Sequence, residues 1–343
     1  MNTQKQQGLD SMASANLEPV LAALNRMIDQ PATTSSMAQP DRRDGSVYRC
    51  PPSLLLALKA ALVTGRPLLL QGRPGSGKSS IAAYVARNLG WRYYEFVVDA
   101  RTEPNDLLWR FDLVRRLADA QIKEAGGVLA DTDYVEPGVL WWMLDDASAR
   151  FRGATELPST PAVDPNDEIN RHRTGGGAVL LIDEIDKAEP DVPGGLLVPL
   201  GSFRFTVQET GTVIDAGIQQ SPRLVIVTTN DDRELPAPFL RRCVVHRLEP
   251  PDEADLIEIA KRHLLADGYD PDAFSEEETD LLERLAAGVA EAGQVAEASE
   301  HCPSVAEYLD AVRAMRQLGT SLSAEDLSFV ESLILRKQEN ANW

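Results

Sequence analysis

Eight consecutive residues, Gly72-Arg73-Pro74-Gly75-Ser76-Gly77-Lys78-Ser79, fill every position of the pattern G-x-x-x-x-G-K-[ST]. Glycines let the backbone curl so that successive N–H groups face one point, and a helix that starts there adds its positive end. Such a loop cradles phosphates. Gly72, Pro74, Gly75, Ser76, Gly77, Lys78, Ser79 and Ser80 are the residues expected to surround a nucleotide triphosphate. Lys78 would reach the β and γ phosphates and the Ser79 hydroxyl would ligate Mg²⁺.

A second chemical element ends the apolar run Val179-Leu-Leu-Ile with Asp183-Glu184. An aspartate at the carboxyl end of a buried strand beside a phosphate loop can hold Mg²⁺, and the glutamate after it can take a proton from an attacking water. Asn230 follows another apolar run and is read as orienting that water, with a simple turn begun with Asp231 and Asp232 as the alternative. Arg241 and Arg242 precede a further apolar stretch. A permanently charged, planar guanidinium suits the charge on a transferring phosphoryl group, whereas an exposed arginine pair also serves as a solvated edge.

Elements that could position these groups are legible around them. Pro67–Gln71 reads as a buried strand, and Ser80 to Leu89 has helical spacing at Ile81, Val85 and Leu89. Pro52 and Ser53 open a helix to about Val63. Tyr93–Val98 is a second strand, rich in aromatic and β-branched residues. Ala178–Ile182, Arg223–Thr229 and Cys243–Leu248 are three continuous apolar runs of the kind found in parallel strands buried on both faces. These five strands with helical crossovers make an α/β fold with a parallel sheet. Phe203–Val207 and Thr212–Ile214, joined by Gln208–Gly211, read as a β-hairpin. Three prolines and Gly175-Gly176-Gly177 mark 152–177 as a mobile surface loop.

Pro250-Pro251 closes the first domain, and about four helices follow over 251–340. Ser275-x-x-Glu278 and Ser304-x-x-Glu307 fit capping boxes. At the other end, 1–46 is rich in Gln, Ser, Ala and Asp and reads as a flexible arm holding one amphipathic candidate, Leu17–Ile28. The expected domains are therefore the arm 1–46, an α/β domain 47–250 and a helical lid 251–340.

The 343 residues carry a formal net charge of −19. That field repels nucleic acid unless the basic residues gather in one groove. Apolar runs fall short of the roughly 20 residues that span a bilayer, and Met1–Asp10 has no signal-peptide core, so the cytoplasm is the expected location. Cys50, Cys243 and Cys302 lack C-x-x-C spacing, and the four histidines lack metal-ligand spacing. Trp141-Trp142 is read as core packing or a subunit contact rather than substrate contact.

The order of these parts resembles the AAA+ ATPases, and within them the MoxR-like branch, over roughly Val47 to Leu318. The phosphate loop, Thr102-Glu-Pro-Asn-Asp106, Tyr134-Val-Glu-Pro-Gly138, Asp183-Glu-Ile-Asp-Lys-Ala188 and Leu235-Pro-Ala-Pro-Phe-Leu-Arg-Arg242 carry the likeness. The resemblance implies a P-loop NTPase with a five-stranded parallel sheet and a small all-α lid, assembled as a ring, usually a hexamer, with ATP and Mg²⁺ between subunits. Gly72–Ser80 would bind the nucleotide, with Ser79 and Asp183 on the metal. Glu184 and Asn230 would act beside them, and Arg242 with Arg241 would come from the next subunit.

It further implies a separate protein partner, such as one bearing a von Willebrand factor A domain, and a likeness to the subset found with multicomponent prokaryotic defence or signalling systems. One departure stands out. Relatives often begin a lid helix with an arginine that touches the γ phosphate, where this chain has Cys302-Pro-Ser-Val-Ala306. Arg313 and Arg316 lie further along that helix. An ATP-dependent switch or scaffold with little turnover, and a nucleic-acid motor, are the competing readings.

Overall fold

The computed structural model describes residues 17–27, 44–121, 129–156, 158, 160–216, 221–270, 274–295, 303–318 and 335. They fall into two compact units. One comprises Met1–Arg26, Pro52–Leu70 and Val85–His246; the other comprises Met27–Pro51, Gln71–Tyr84 and Arg247–Trp343.

The first unit is built on a five-stranded parallel sheet. Its strands are β1 (Leu68–Gln71), β2 (Arg92–Val97), β5 (Ala178–Asp183), β8 (Arg223–Thr229) and β9 (Val244–Arg247), in the order β2-β5-β8-β1-β9. Two hairpins are added, β3 (Trp109–Phe111) with β4 (Val135–Pro137) and β6 (Arg204–Thr206) with β7 (Val213–Asp215). Every residue of β5 is buried, as a central strand covered on both faces must be. The register pairs Val97 with Asp183 across β2 and β5, and Ile182 with Val227 across β5 and β8. The carboxyl ends of β5 and β8 therefore lie side by side, the edge at which open α/β sheets bind ligands.

One expectation changes here. The run Cys243–Leu248 contains an edge strand rather than one buried on both faces: β9 alternates in exposure, with Val245 45% exposed. An apolar run looks the same in either place, and only its position next to β1 decides. Within 152–177 lies a short helix, Asp167–Asn170, whose last residue bonds β2. The Asn170 side chain accepts from Tyr93 N at 2.8 Å and donates to Tyr93 O at 3.3 Å. Its amide also donates to the buried Asp164, which accepts the Tyr94 hydroxyl at 3.2 Å. Burial and then the Asp164 charge hold that phenol above its ordinary pKa, against the opposing effect of Arg92.

The two hairpins share one aromatic cluster. Trp109 stacks on Phe205 at 5.6 Å, Trp141 meets Phe205 edge-on at 5.9 Å, and Trp109 Nε1 donates to Glu209 at 2.8 Å. Trp141 and Trp142 are fully buried, which places the pair in the core.

In the second unit three helices, Glu253–Ala266, Glu276–Val295 and Val305–Leu318, enclose a core that includes Leu256, Leu264, Leu285, Tyr308, Val312 and Met315. Both capping boxes form. Ser275 N and Ser304 N donate to Glu278 and Glu307, while Glu278 N and Glu307 N donate to the serine hydroxyls at 3.2 Å. The fourth helix of the expected lid falls on residues outside those described, apart from the buried Leu335. The arm candidate is helical over 17–26. Among the described residues no helix is long and apolar enough to cross a membrane.

Candidate functional site

The phosphate loop leaves β1 and runs into the helix Ser80–Leu89. Gly75 (φ 73°) and Gly77 (φ 85°) occupy the left-handed region, where a side chain is strained. Neighbours close both positions as well. A Cβ on Gly75 would collide with Ser304 Cβ, and one on Gly77 would lie 3.2 Å from the Tyr48 ring. Lys78 is buried and donates to the carbonyls of Gly72 at 2.7 Å and Arg73 at 2.8 Å. Ser76 Oγ is buried with no hydrogen-bond partner among the described residues. A buried ammonium and an orphaned hydroxyl on a loop of left-handed glycines are donors suited to a polyanion.

A cavity of roughly 630 Å³ opens beside the loop, within the same unit, lined by Gly75, Ser76, Pro251, Leu256, Val289 and Val305 among others. Its size and mixed lining fit a small organic ligand. Segment 44–50 backs the loop. Arg49 pairs with Asp255 at 2.5 Å, and Arg262 donates to Tyr48 O at 3.5 Å.

At the carboxyl edge of the sheet, Asp183 is buried and its Oδ1 accepts the Thr228 hydroxyl at 2.6 Å. That hydroxyl also accepts the N–H of Glu184 at 2.8 Å. Glu184 adopts φ 61°, ψ 48°, a left-handed conformation that costs a non-glycine residue energy and turns the chain sharply off the strand end. Its carboxylate is held on both oxygens. Oε1 accepts from Asn230 Nδ2 at 3.4 Å and Oε2 from Lys187 Nζ at 2.5 Å. The bond to Glu184 raises the Lys187 pKa above its ordinary value. Asp186, 2% exposed, accepts the N–H groups of Asn230 and Asp232 at 3.0 Å each.

The structure thus brings Asp183, Glu184 and Asn230 into one hydrogen-bonded group. Thr228, Asp186 and Lys187 belong to it and were not singled out by the sequence reading, although Asp186 and Lys187 lie inside a motif it quoted.

Arg241 and Arg242 are exposed at the end of the short helix Ala237–Leu240, which the buried Phe239 anchors. Arg242 Nη1 donates to Leu197 O at 2.7 Å, and Arg241 O accepts from Arg66 at 3.4 Å. Their side chains face solvent rather than the Asp183 group in the single chain. In the second unit Arg313 pairs with Asp267 at 3.2 Å. Arg316 pairs with Glu278 at 3.4 Å and stacks over Tyr269 and Phe274 at 4.2 and 4.4 Å. Arg316 is thus a packed side chain.

A buried carboxylate at a strand end, a second carboxylate with an amide beside it, and a loop of phosphate donors are the parts a nucleotide hydrolase needs. A protein-family model described as AAA domain (dynein-related subfamily) matches residues 67–243. A curated relative, the mitochondrial Lon protease homolog of Candida dubliniensis, is 27% identical over 206 residues, 59% of this chain and 15% of that protein. The chain thus spans about a seventh of the relative's length. Among solved structures, a RuvB point mutant from Thermotoga maritima matches at TM-score 0.45 and 16% identity, covering 90% of this chain and 74% of the other. A putative ATPase from Cytophaga hutchinsonii matches at TM-score 0.40 and 15% identity, covering 98% and 90%.

Proposed function

The chain belongs to the dynein-related subfamily of AAA domains, and from that premise we propose that it is a MoxR-like ATPase that hydrolyses ATP at the subunit interfaces of a ring, by expectation a hexamer, to remodel or activate a partner protein. The observation that carries this reading is the hydrogen-bonded group of Asp183, Thr228, Glu184 and Asn230 at the carboxyl edge of the sheet whose first strand feeds the phosphate loop.

In this mechanism Gly72, Pro74, Gly75, Ser76, Gly77 and Ser80 surround the phosphates, and Lys78 offsets their charge. Ser79 and Asp183 would hold Mg²⁺, which would supply neutralisation of phosphate charge. Glu184 accepts the proton of the attacking water as the water oxygen bonds to the γ phosphorus and the bond to the β-phosphate oxygen breaks. Asn230 orients that water. Arg242, with Arg241 beside it, is displayed on the surface, where it can reach a neighbouring subunit's nucleotide and stabilise the transferring phosphoryl group.

The α/β part, 47–250, is the catalytic domain, 251–340 is the lid, and 1–46 is an arm. The partner is a separate cytoplasmic protein of the von Willebrand factor A type, and the net charge of −19 weighs against a nucleic-acid motor. A second reading, an ATP-dependent switch with little turnover, is favoured by one observation. No arginine opens the helix Val305–Leu318, and Arg313 and Arg316 are committed to Asp267 and Glu278.

Steady-state ATPase of the wild type and Glu184→Gln decides between them. A loss of about a hundredfold or more in the variant, the usual scale for removing a general base, supports the hydrolase. A wild-type rate that is already negligible, with ATP-dependent assembly intact, supports the switch.

A further inference from the structure

Glu184 is the carboxylate to which the proposed hydrolysis gives the water's proton, and its oxygens are engaged unequally. The contact from Asn230 is long, at 3.4 Å, whereas that from Lys187 is short, at 2.5 Å, and charged. Charge-assisted contacts are the stronger kind. The geometry behind the short contact is fixed from below. Ile185 and Asp186 are 0% and 2% exposed, and Lys187 N donates to Glu184 O at 3.0 Å, closing a tight turn. Asp186 is tied to the chain after β8 through Asn230 and Asp232. The Glu184 backbone is held left-handed with its N–H on Thr228. Neither end of the pair can drift away from the other by backbone motion without disturbing these bonds. Lys187 itself is about half exposed, so its ammonium can leave the carboxylate for solvent or another group at little cost.

We propose that Lys187 is a clasp on Glu184: it occupies the oxygen that would otherwise face water and so restrains hydrolysis until the ammonium is drawn away. This inference rests on the reading of Glu184 as the general base. Lys187 acts through Glu184 and touches no reacting atom, which makes it a positioning residue. A carboxylate oxygen engaged by an ammonium must exchange that partner before it can accept a proton from water. Removal of the ammonium should therefore raise the rate at saturating ATP while leaving the binding of ATP alone.

The test uses the full chain with Lys187→Met, Lys187→Gln, Lys187→Arg and Glu184→Gln. The expected result is a basal kcat raised about two- to fivefold in the Met and Gln variants, the scale of an exposed ion pair. KM for ATP should be unchanged and Lys187→Arg should behave as wild type. A readout independent of turnover is the ¹⁵Nζ ammonium resonance of Lys187 in nucleotide-free protein. It should be detectable in the wild type, where the pair slows its exchange, and lost in Glu184→Gln. An unchanged or lowered kcat in both uncharged variants, beside an inactive Glu184→Gln, overturns the clasp alone. A Glu184→Gln protein that keeps its activity overturns the reading of Glu184 and the clasp with it. A resonance indifferent to Glu184→Gln also overturns the clasp.

Discussion

Thr228 donates its hydroxyl to Asp183 Oδ1 at 2.6 Å and, through the same oxygen, accepts the N–H of Glu184 at 2.8 Å. One buried atom on β8 therefore holds both the Asp183 carboxylate at the end of β5 and the backbone of Glu184 that follows it. Thr228→Val keeps the shape and removes both bonds. A bond to a charged group contributes about 1.5–3 kcal/mol, so kcat should fall about ten- to a hundredfold. Thr228→Ser should retain most of the rate. Equal rates for the valine and serine variants, at unchanged Tm, would show the hydroxyl to be idle.

Arg242 lies on the surface of the chain that carries it, with its guanidinium on Leu197 O. If it serves the next subunit, Arg242→Ala and Glu184→Gln are each inactive, yet a mixture regains activity. Random pairing around a closed ring leaves about a quarter of the interfaces with both groups intact. Refolded or subunit-exchanged mixtures should recover about that share of the wild-type ATPase. Persistent inactivity in demonstrably mixed rings would place the arginine's action elsewhere.

Cys50 and Cys243 are buried, and burial pushes each thiol up to about 12. In a Cys302→Ser background, thiol reagent at pH 8 should modify the native protein about a thousandfold more slowly than a free thiol, because the thiolate is the reacting form. The sign for stability follows from the same shift. The folded state keeps these protons, so their contribution is complete below the unfolded thiol value near ~8.5 and is lost as pH rises towards 12. Fast labelling of either native thiol would contradict their burial.

Ser275 caps the helix Glu276–Val295 in a reciprocal pair with Glu278. Ser275→Ala should cost about 1 kcal/mol of stability and Ser275→Gly a few tenths, read as shifts in the urea midpoint. Equal midpoints for wild type and the alanine variant would mean that this helix end contributes nothing to cooperative unfolding.

Local patterns carried most of what the sequence made legible. A capping box is complete within four residues, and both formed. Arg223–Thr229 is a strand over its whole expected length because a continuous β-branched run has no competing reading. Strands of three residues, Trp109–Phe111 and Val135–Pro137, are too short to display a period, and their pairing spans a long stretch of chain. Thr228 was passed over for the opposite reason. A threonine inside a strand looks like ordinary β-branched filling, and only the register that sets β8 beside β5 turns its hydroxyl towards Asp183. Asp186 reads as a solvated acid in sequence, yet it is buried and holds the backbone of Asn230.

Strand β2 terminates the sheet on one side, and a terminal strand ordinarily offers its open backbone groups to any extended chain that passes. At Tyr93 that offer is withdrawn. The carboxamide of Asn170 takes the place of a peptide unit, receiving the N–H and giving to the carbonyl as a sixth strand would. The edge strand thereby carries a blocked template at Tyr93, where an extended chain would have to displace the Asn170 carboxamide before it could pair.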